Sequence, residues 1–241
     1  MKIVIIRHAE PDYPHNCLTE KGLREAELLA DRLVKEPADA YYTSSMGRAM
    51  LTAHPTLTRL GKTAKVYDWM REFSIPIRWE DGRTQGYPWD QYPSSWKDDE
   101  AYFDRKKWHT TNLMRSGDLE AAYGRVTNAL DELIASHGYV RDGEHYRAER
   151  PNTDTIVLFC HFGVECVFLG HLLGISPVVL WHGTCSSPTG VTTVVTEERE
   201  EGIASFRMQT FGDVSHLTMA GEEPSFSARF CEMYTDFSQR H

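Results

Sequence analysis

The sequence predicts an α/β fold, a three-layer α-β-α sandwich in which helices cover both faces of a mostly parallel sheet. Three observations support this prediction. Short apolar segments alternate with amphipathic helical segments along most of the chain. Thr155–Cys160 is apolar throughout, as expected of a central strand buried on both faces. A segment rich in tryptophan and proline interrupts the alternation at about residues 73–118 and predicts a helical cap.

The first part of the chain predicts three strands and two helices. Residues 2–6 form a β-branched run typical of a buried strand. Thr19 is suited to cap the first helix, whose apolar residues recur at helical spacing. Pro55 lies within the second predicted helix and predicts a kink or an interruption there. The segments that follow the first helix are a strand at 39–43, the second helix at Gly47–Leu60 and a strand at 64–67.

The interruption at 73–118 is predicted to be a cap inserted into a single domain that spans residues 1–241. Three prolines break up its first half, and residues 98–114 are compatible with a helix. Five of the six tryptophans lie in or beside it, namely Trp69, Trp79, Trp89, Trp96 and Trp108.

The second part of the chain predicts a helix, a hairpin, a strand, a helix and a closing antiparallel pair of strands. The hairpin prediction rests on Asp142 followed by Gly143 between alternating residues. Gly174 is suited to end the second of these helices. Residues from 212 onward show no clear period. The predicted segments are Leu119–Ser136, 139–147, Thr155–Cys160, Phe162–Leu173, 191–196 and 203–210.

Composition and charge limit the classes of partner. The net charge of −9 argues against nucleic acid or an anionic membrane, because a broad acidic face repels phosphate groups. A small anion can still bind if positive side chains gather in one pocket. No apolar run is long enough to span a bilayer, and the N-terminal run is too short for a signal peptide. We therefore expect a cytoplasmic protein, and a homo-oligomer is compatible with the sequence.

The cysteine and histidine patterns argue against a metal site, and the glycine pattern argues against a dinucleotide cofactor. The scattered cysteines include no CxxC pair, so we expect reduced thiols rather than disulfides or a zinc site. The eleven histidines do not form ligand pairs with nearby carboxylates in the predicted helices. No GxGxxG follows a predicted strand. The five cysteines are Cys17, Cys160, Cys166, Cys185 and Cys231.

Two histidines follow two predicted central strands. Arg7 and His8 come after the first strand, and His161 comes directly after Thr155–Cys160. In a parallel sheet, the carboxyl ends of the strands meet at one edge, where ligands bind. A neutral imidazole is a competent nucleophile toward phosphorus, and an adjacent guanidinium can hold the phosphoryl oxygens. This pattern predicts a phosphate site with His8 as the nucleophile.

Other residues can complete this site. Arg48 lies in the first turn of the second predicted helix, where it can add a guanidinium near the positive helix end. His161 can donate a hydrogen bond to a developing oxyanion. Taken alone, Arg48 is more typical of a surface arginine and His161 of a core histidine. Ester cleavage also needs a general acid and base, and Glu72 is the best-placed carboxylate, with Glu10 and Glu80 as rivals.

Taken together, five segments in this order resemble the motifs of the histidine phosphatase superfamily, which includes the cofactor-dependent phosphoglycerate mutases. The resemblance runs from residue 1 to about residue 175, outside the cap. The segments are RHAE at 7–10, CLTEKG at 17–22, SSMGRAMLTA at 44–53, MRE at 70–72 and LFCHFG at 158–163.

The resemblance implies a role for each matching residue. His8 would take the phosphoryl group, and Glu72 would donate a proton and later act as the base. The phosphate pocket would be lined by Arg7, Arg48 and His161. No metal and no cofactor would be needed, because two arginines and two histidines supply what a magnesium ion supplies in kinases.

The chain also departs from the pattern of the family. Ala9 stands where glycine is usual, a small change. The family often has a polar contact to phosphate several residues after the nucleophile, and Asn16 is the candidate here. Phe162 follows His161 where the secreted acid phosphatase and phytase branch has aspartate, which points to the intracellular branch with a glutamate acid.

The cap is the natural source of substrate specificity. Its aromatic residues could form an apolar wall for the leaving group, and the alternative is that they form the core of the cap itself. Its cations could hold a second anionic group or be solvated surface. The aromatic residues are Tyr87, Trp89, Tyr92 and Trp96, and the cations are Arg78, Arg83, Lys97, Arg105, Lys106 and Lys107.

The sequence therefore predicts a phosphoric monoester hydrolase that acts on a small phosphorylated metabolite through a phosphohistidine at His8. A mutase-type phosphotransferase remains an alternative, because the motifs do not separate the two activities, although the cap does not resemble that of the mutases. A non-catalytic phosphoryl-binding protein is disfavoured, because Arg7, His8, Glu72 and His161 are all present.

Overall fold

The structure, a computed structural model, describes residues 1–79, 86–226 and 233–236. Glu80, Arg83 and Cys231 lie outside the described residues. The strands are β1 (Lys2–Arg7), β2 (Pro11–Asp12), β3 (Cys17–Leu18), β4 (Ala40–Ser44), β5 (Lys65–Tyr67), β6 (Tyr139–Asp142), β7 (His145–Ala148), β8 (Thr155–Cys160), β9 (Val191–Glu200) and β10 (Ile203–Asp213). The α-helices are α1 (Glu20–Leu33), α2 (Gly47–Leu60), α3 (Pro93–Trp96), α4 (Asn112–Arg115), α5 (Leu119–Ser136), α6 (Phe162–Leu173), α7 (Pro177–Gly183) and α8 (Ser215–Ala220).

Eight strands form one sheet in the order β5-β4-β8-β1-β9-β10-β7-β6. The four strands from β5 to β1 pair in parallel, and the remaining neighbours pair antiparallel. Because β9 and β7 alone among these strands oppose β1, six of the eight run in one direction. The predicted class, a mostly parallel sheet with flanking helices, is confirmed.

Alternation along β1 divides the core between the two faces of the sheet. Val4 and Ile6 belong to the hydrophobic cluster that also holds residues of α1 and α2. Ile3 and Ile5 belong to the larger cluster on the other face, formed with α5, α6 and the cap. Strands β1 and β8 are buried on both faces. The polar residues that follow them lie at the carboxyl edge of the sheet.

Several local predictions are confirmed. The Thr19 hydroxyl accepts a hydrogen bond from the Gly22 N–H at 3.0 Å, which caps α1. The hairpin turns at Gly143, whose φ of +60° suits glycine. Strands β9 and β10 pair antiparallel as expected. The predicted interruption at Pro55 is wrong, since α2 runs through this residue to Leu60.

Residues 98–114, whose sequence is compatible with a helix, do not form a continuous one. This part of the cap contains only short 3-10 turns at Glu100–Phe103 and Trp108–Thr110, followed by α4. The Asp99 carboxylate accepts a hydrogen bond from the Ala101 N–H, and Asp104 likewise accepts one from Lys106. These side-chain bonds to the backbone favour turns over a continuous helix.

Helices α7 and α8 lie in segments for which the sequence predicted no helix. Both are short, and α7 begins with Pro177 in its first turn. In the described part of the chain, no helix combines the length and apolar character required to cross a lipid bilayer.

Candidate active site

His8 lies directly beyond the end of β1 and is 1% exposed. Its Nδ1 lies 2.7 Å from the carbonyl oxygen of Ala9. Because a carbonyl can only accept, Nδ1 carries the proton and Nε2 keeps its lone pair. Burial, together with the charges of Arg7 and Arg48, holds the pKa of His8 well below its ordinary value. His8 is therefore a neutral imidazole with Nε2 available as a nucleophile.

Ala9 is itself held in place by α2. The N–H of Ala9 donates to the Thr52 hydroxyl at 2.9 Å, and that hydroxyl donates to the carbonyl of Arg48 at 2.7 Å. These bonds fix the carbonyl that selects the His8 tautomer.

His161 follows β8 and begins α6. Its ring centroid lies 5.1 Å from that of His8, and it is fully buried. The Nε2 atom lies 2.9 Å from the Ser44 hydroxyl, at the end of β4. Within the described residues, Nδ1 of His161 has no hydrogen-bond partner. If Ser44 donates to Nε2, then Nδ1–H is free to donate to a phosphoryl oxygen.

Two guanidinium groups lie beside these imidazoles. Arg7 and Arg48 are 3% and 6% exposed. Nη1 of Arg7 donates to the carbonyl oxygen of Ser186 at 2.5 Å. Burial, followed by the competing His8 ring and the charges of Arg48 and Arg7, holds the pKa of His161 well below its ordinary value. Two buried cations next to two neutral imidazoles make this edge of the sheet suited to a phosphate dianion.

Glu72 is half-buried and reaches the first turn of α6. Its Oε1 accepts hydrogen bonds from the N–H groups of Phe73 at 2.8 Å and Val164 at 3.1 Å. Burial raises the pKa of Glu72 despite these bonds and despite the charges of Arg48 and Arg7. A carboxyl with a raised pKa keeps its proton to higher pH, as a general acid requires.

Glu10 has a different environment. Its carboxylate accepts hydrogen bonds from the hydroxyls of Thr19 and Ser225. Burial acts to raise the pKa of Glu10, but the Ser225 and Thr19 hydrogen bonds prevail and lower it. Of the two described candidates, Glu72 and Glu10, the geometry therefore favours Glu72 as the acid.

The comparisons with known proteins agree with this geometry. The sequence matches the family described as histidine phosphatase superfamily (branch 1) over residues 3–209. The chain belongs to this superfamily. It is also similar to phosphoserine phosphatase 1 of Hydrogenobacter thermophilus, with 23% identity over 216 residues that cover 84% of this chain and 90% of that protein.

Solved structures share the fold of this histidine phosphatase superfamily member. A phosphoserine phosphatase mutant from Entamoeba histolytica superposes with a TM-score of 0.57 at 19% identity, covering 90% of this chain and 98% of that one. The mycobacterial glucosyl-3-phosphoglycerate phosphatase gives a TM-score of 0.57 at 19% identity, with 88% and 98% covered. At these identities the likeness shows the fold alone.

Gly163 ends the LFCHFG segment, and its own contribution to the site was not predicted. A Cβ atom at this position would lie 2.5 Å from Oε1 of Glu72 and 3.0 Å from the Trp89 indole. The Gly163 carbonyl accepts a hydrogen bond from Nε1 of Trp181 at 2.9 Å. Glycine therefore leaves room for the acid and the indole to pack on α6. A glycine in the first turn of an apolar helix was the available signal.

The structure places Asn16 next to Arg48. Its Oδ1 accepts a hydrogen bond from Nη1 of Arg48 at 3.1 Å, and its φ is +50°. A Cβ atom on Gly47 would lie 2.4 Å from the Asn16 carbonyl, so Asn16 lies against the start of α2. Tyr13 lies on the same side, with its ring centroid 5.5 Å from Cζ of Arg48.

The cap brings one aromatic pair to the site. Trp89 donates from Nε1 to the Phe73 carbonyl at 2.9 Å, contacts the region of Glu72 and stacks on Tyr87 with centroids 5.0 Å apart. Trp96 is 5% exposed and packs against Phe103 of the cap and His182 of α7. Tyr92 pairs with Trp79 at 6.3 Å. The structure thus does not bring Trp96 or Tyr92 to Glu72.

The cations of the cap lie mainly on its surface. Arg105 and Lys106 pair with Glu144, and Lys107 pairs with Asp104. Lys97 lies over the Trp96 ring at 5.4 Å. A different arginine, Arg71, is exposed near the site and donates to the Ser45 hydroxyl at 3.2 Å. Its charge lowers the pKa of both Arg48 and His161, although burial is the largest influence on each.

The described residues contain no group of three or more histidine, cysteine, aspartate or glutamate side chains arranged to hold a metal ion.

Proposed function

We propose that this member of the histidine phosphatase superfamily is a phosphoric monoester hydrolase acting on a small phosphorylated metabolite through a phosphohistidine at His8. The observation that carries the proposal is the lone pair of Nε2 on His8, kept unprotonated by the Ala9 carbonyl and placed beside two buried guanidinium groups. A nucleophile and positive charge at one point are what attack on a phosphate ester requires.

In the first step, Nε2 of His8 attacks phosphorus and the bond from phosphorus to the leaving oxygen breaks. Arg7 and Arg48 hold the non-bridging oxygens, and Nδ1–H of His161 donates to one of them. Glu72 transfers its proton to the leaving oxygen, which departs as an alcohol. The raised pKa of Glu72 supports this role, because the group keeps its proton to higher pH than an ordinary glutamate does.

In the second step, the Glu72 carboxylate accepts a proton from water. The resulting hydroxide attacks phosphorus, the bond between phosphorus and Nε2 breaks, and inorganic phosphate leaves. His8 is neutral again and Glu72 is protonated again, so the cycle closes. The scheme assigns no step to a metal or a cofactor, because the two arginines stabilise the developing charge.

The relatives support a phosphatase and suggest which substrates to try. Proteins similar to this chain are named phosphoserine phosphatase and glucosyl-3-phosphoglycerate phosphatase. We propose phosphorylated amino acids and phosphoglycerate derivatives as the first substrates to test. The stacked pair of Tyr87 and Trp89 would form the wall next to the leaving group, because Trp89 lies against Gly163 and Glu72.

The test is hydrolysis of p-nitrophenyl phosphate with excess chelator by the wild type, His8→Ala and His54→Ala. His54 is an exposed histidine of α2 and serves as the matched control. We expect turnover in the wild type and His54→Ala and none in His8→Ala. Turnover that persists in His8→Ala would contradict the assignment of the nucleophile.

Mass spectrometry after an alkaline quench separates the alternatives. Phosphoryl mass on the peptide that contains His8, followed by release of phosphate to water, supports the hydrolase. Phosphoryl transfer from a bisphosphoglycerate to a monophosphoglycerate, with little release to water, identifies a mutase. Binding of phosphate without labelling of His8 identifies a non-catalytic phosphoryl-binding protein.

A further inference from the structure

Glu165 is a fully buried carboxyl that the proposed mechanism does not use. It lies in the first turn of α6, four residues after His161, with no exposed surface. Burying a carboxylate is costly unless charge and hydrogen bonds compensate, so its surroundings should show what compensates it.

Ser186 lies beside both Arg7 and Glu165. The Ser186 carbonyl accepts from Nη1 of Arg7 at 2.5 Å, and the Ser186 side chain is close enough to Glu165 to lower its pKa. Among the described residues, neither the Ser186 hydroxyl nor Oε2 of Glu165 has a hydrogen-bond partner of good geometry. From the opposite side, the Thr192 hydroxyl donates to Oε1 of Glu165. The Thr192 oxygen in turn accepts from the N–H of Gly212 at 3.0 Å.

Two glycines hold Ser186 in place. A Cβ atom on Gly190 would lie 2.6 Å from the Ser186 hydroxyl oxygen, and one on Gly212 would lie 3.2 Å from its Cα. The backbone therefore packs tightly around Ser186, beside Arg7 and Glu165.

The charged and titratable groups around Glu165 come from several elements. Arg7 of β1 lowers its pKa, and Glu72 raises it. Cys160 of β8 and Cys166 of α6 are thiols whose pKa is raised well above the ordinary value, first by burial and then by Glu165, so both stay neutral. Burial is the largest influence and raises the pKa of Glu165 to about 7.

We propose that Glu165 is the buried counter-charge of Arg7, and that a phosphate dianion binding at Arg7 drives the uptake of a proton by Glu165. In the free protein, Arg7 stabilises the Glu165 carboxylate. A bound dianion neutralises Arg7, so the carboxylate loses this support and takes a proton from solvent. The inference rests on one part of the proposed function, the binding of phosphate at Arg7. It does not require that the protein turn over a substrate.

Thermodynamic linkage gives the sign of the effect. If dianion binding promotes protonation of Glu165, then ionisation of Glu165 weakens dianion binding by the same factor. The affinity of the wild type should therefore fall as pH rises through the ionisation of Glu165. A difference of one pKa unit between the free and bound states corresponds to about a tenfold change in affinity.

The experiment measures binding of tungstate, a tetrahedral dianion that does not titrate near neutral pH, by calorimetry on the wild type and Glu165→Gln. At about pH 6 we expect equal affinities, and at about pH 8.5 we expect Glu165→Gln to bind several-fold more tightly. Titrations in buffers of different ionisation enthalpy should show less proton uptake in the variant. Glu72, His8 and His161 contribute to both proteins, so the comparison isolates Glu165.

A purely structural role would weaken binding in Glu165→Gln by the same factor at every pH, which would overturn the inference. Tungstate binding by the wild type with a pH dependence shared by the variant would also overturn it, while leaving the proposed function intact. Failure of the wild type to bind tungstate at all would remove the phosphate site and both proposals.

A second variant keeps the test decisive if Glu165→Gln does not fold. Thr192→Val removes the hydroxyl that stabilises the Glu165 carboxylate, so the pH at which tungstate affinity falls should move upward. Thr192→Ser keeps the hydroxyl and is the matched control, for which we expect the wild-type profile. An unchanged profile in a folded Thr192→Val protein contradicts the inference.

Discussion

At the scale of single residues, the candidate site depends on backbone groups as much as on its named side chains. The Ala9 carbonyl selects the tautomer of His8, and the N–H of Val164 holds Glu72. Sequence reasoning found His8 and His161 because each directly follows a strand. It did not find Gly163, Ser186 or Glu165, whose roles depend on what lies across from them.

Gly163→Ala tests whether Glu72 is the proton donor. The added methyl group would lie 2.5 Å from Oε1 of Glu72, so the carboxyl must move away from the leaving oxygen. We expect turnover of an alkyl phosphate such as phosphoserine to fall by about 10²-fold or more, the usual range for general acid catalysis. Turnover of p-nitrophenyl phosphate should fall less, because its leaving group needs little protonation.

Gly124→Ala is the control for this substitution. Gly124 lies within α5, and a Cβ atom there would meet nothing within 4 Å. We expect unchanged kinetics and a stability gain of about 0.5–1 kcal/mol from the helix preference of alanine. Equal losses on both substrates in Gly163→Ala would argue against Glu72 as the acid.

At the scale of elements, local signals placed most helices and strands, and side-chain bonds to the backbone decided the exceptions. Capping by Thr19 and the turn at Gly143 follow from chemistry within a few residues. In the cap, Asp99 and Asp104 accept hydrogen bonds from nearby backbone N–H groups and favour turns in a segment whose sequence is compatible with a helix. The spacing of apolar residues does not show where side-chain bonds to the backbone compete with helix formation.

Thr19→Ala tests the start of α1. The variant loses the hydroxyl that accepts from Gly22 and donates to Glu10 at 2.7 Å. We expect the free energy of unfolding to fall by about 1 kcal/mol, measured by urea denaturation. Thr19→Ser retains both bonds and should lose only a small part of this stability. Equal losses in the two variants would show that the methyl group, and not the cap, is responsible.

At the scale of the whole molecule, strand order assembles the site. Because β4, β8 and β1 are neighbours, Ser44, His161 and His8 reach the same edge although they are far apart in sequence. The same assembly buries Glu165 between α6 and β9, where Thr192 meets it. The fold therefore contains an ionisable group at its centre, and its stability should depend on pH.

Glu165 gives this dependence a definite sign. Its pKa is about 7 in the folded chain and 4.5 as an ordinary glutamate, so the folded state binds the proton more tightly. Stability is then lost as pH rises from about 4.5 through about 7, by about 3 kcal/mol at most. Urea denaturation at about pH 5 and about pH 8 should show this loss in the wild type but not in Glu165→Gln.

Glu132→Gln is the matched control, because Glu132 is an exposed glutamate of α5. We expect it to keep the pH dependence of the wild type. A loss of stability between the two pH values that is as large in Glu165→Gln as in the wild type would assign the effect to other groups.

The sequence by itself determined the fold class, most element positions and the candidate site residues at the ends of β1 and β8. These features depend on local periodicity, on capping chemistry and on polar residues that directly follow a strand in the sequence. The tertiary structure decided the partners, such as Ser44 for His161, Gly163 for Glu72 and Ser186 for Arg7. Such pairs join distant residues through strand order and helix packing, and no local pattern encodes which residues will meet.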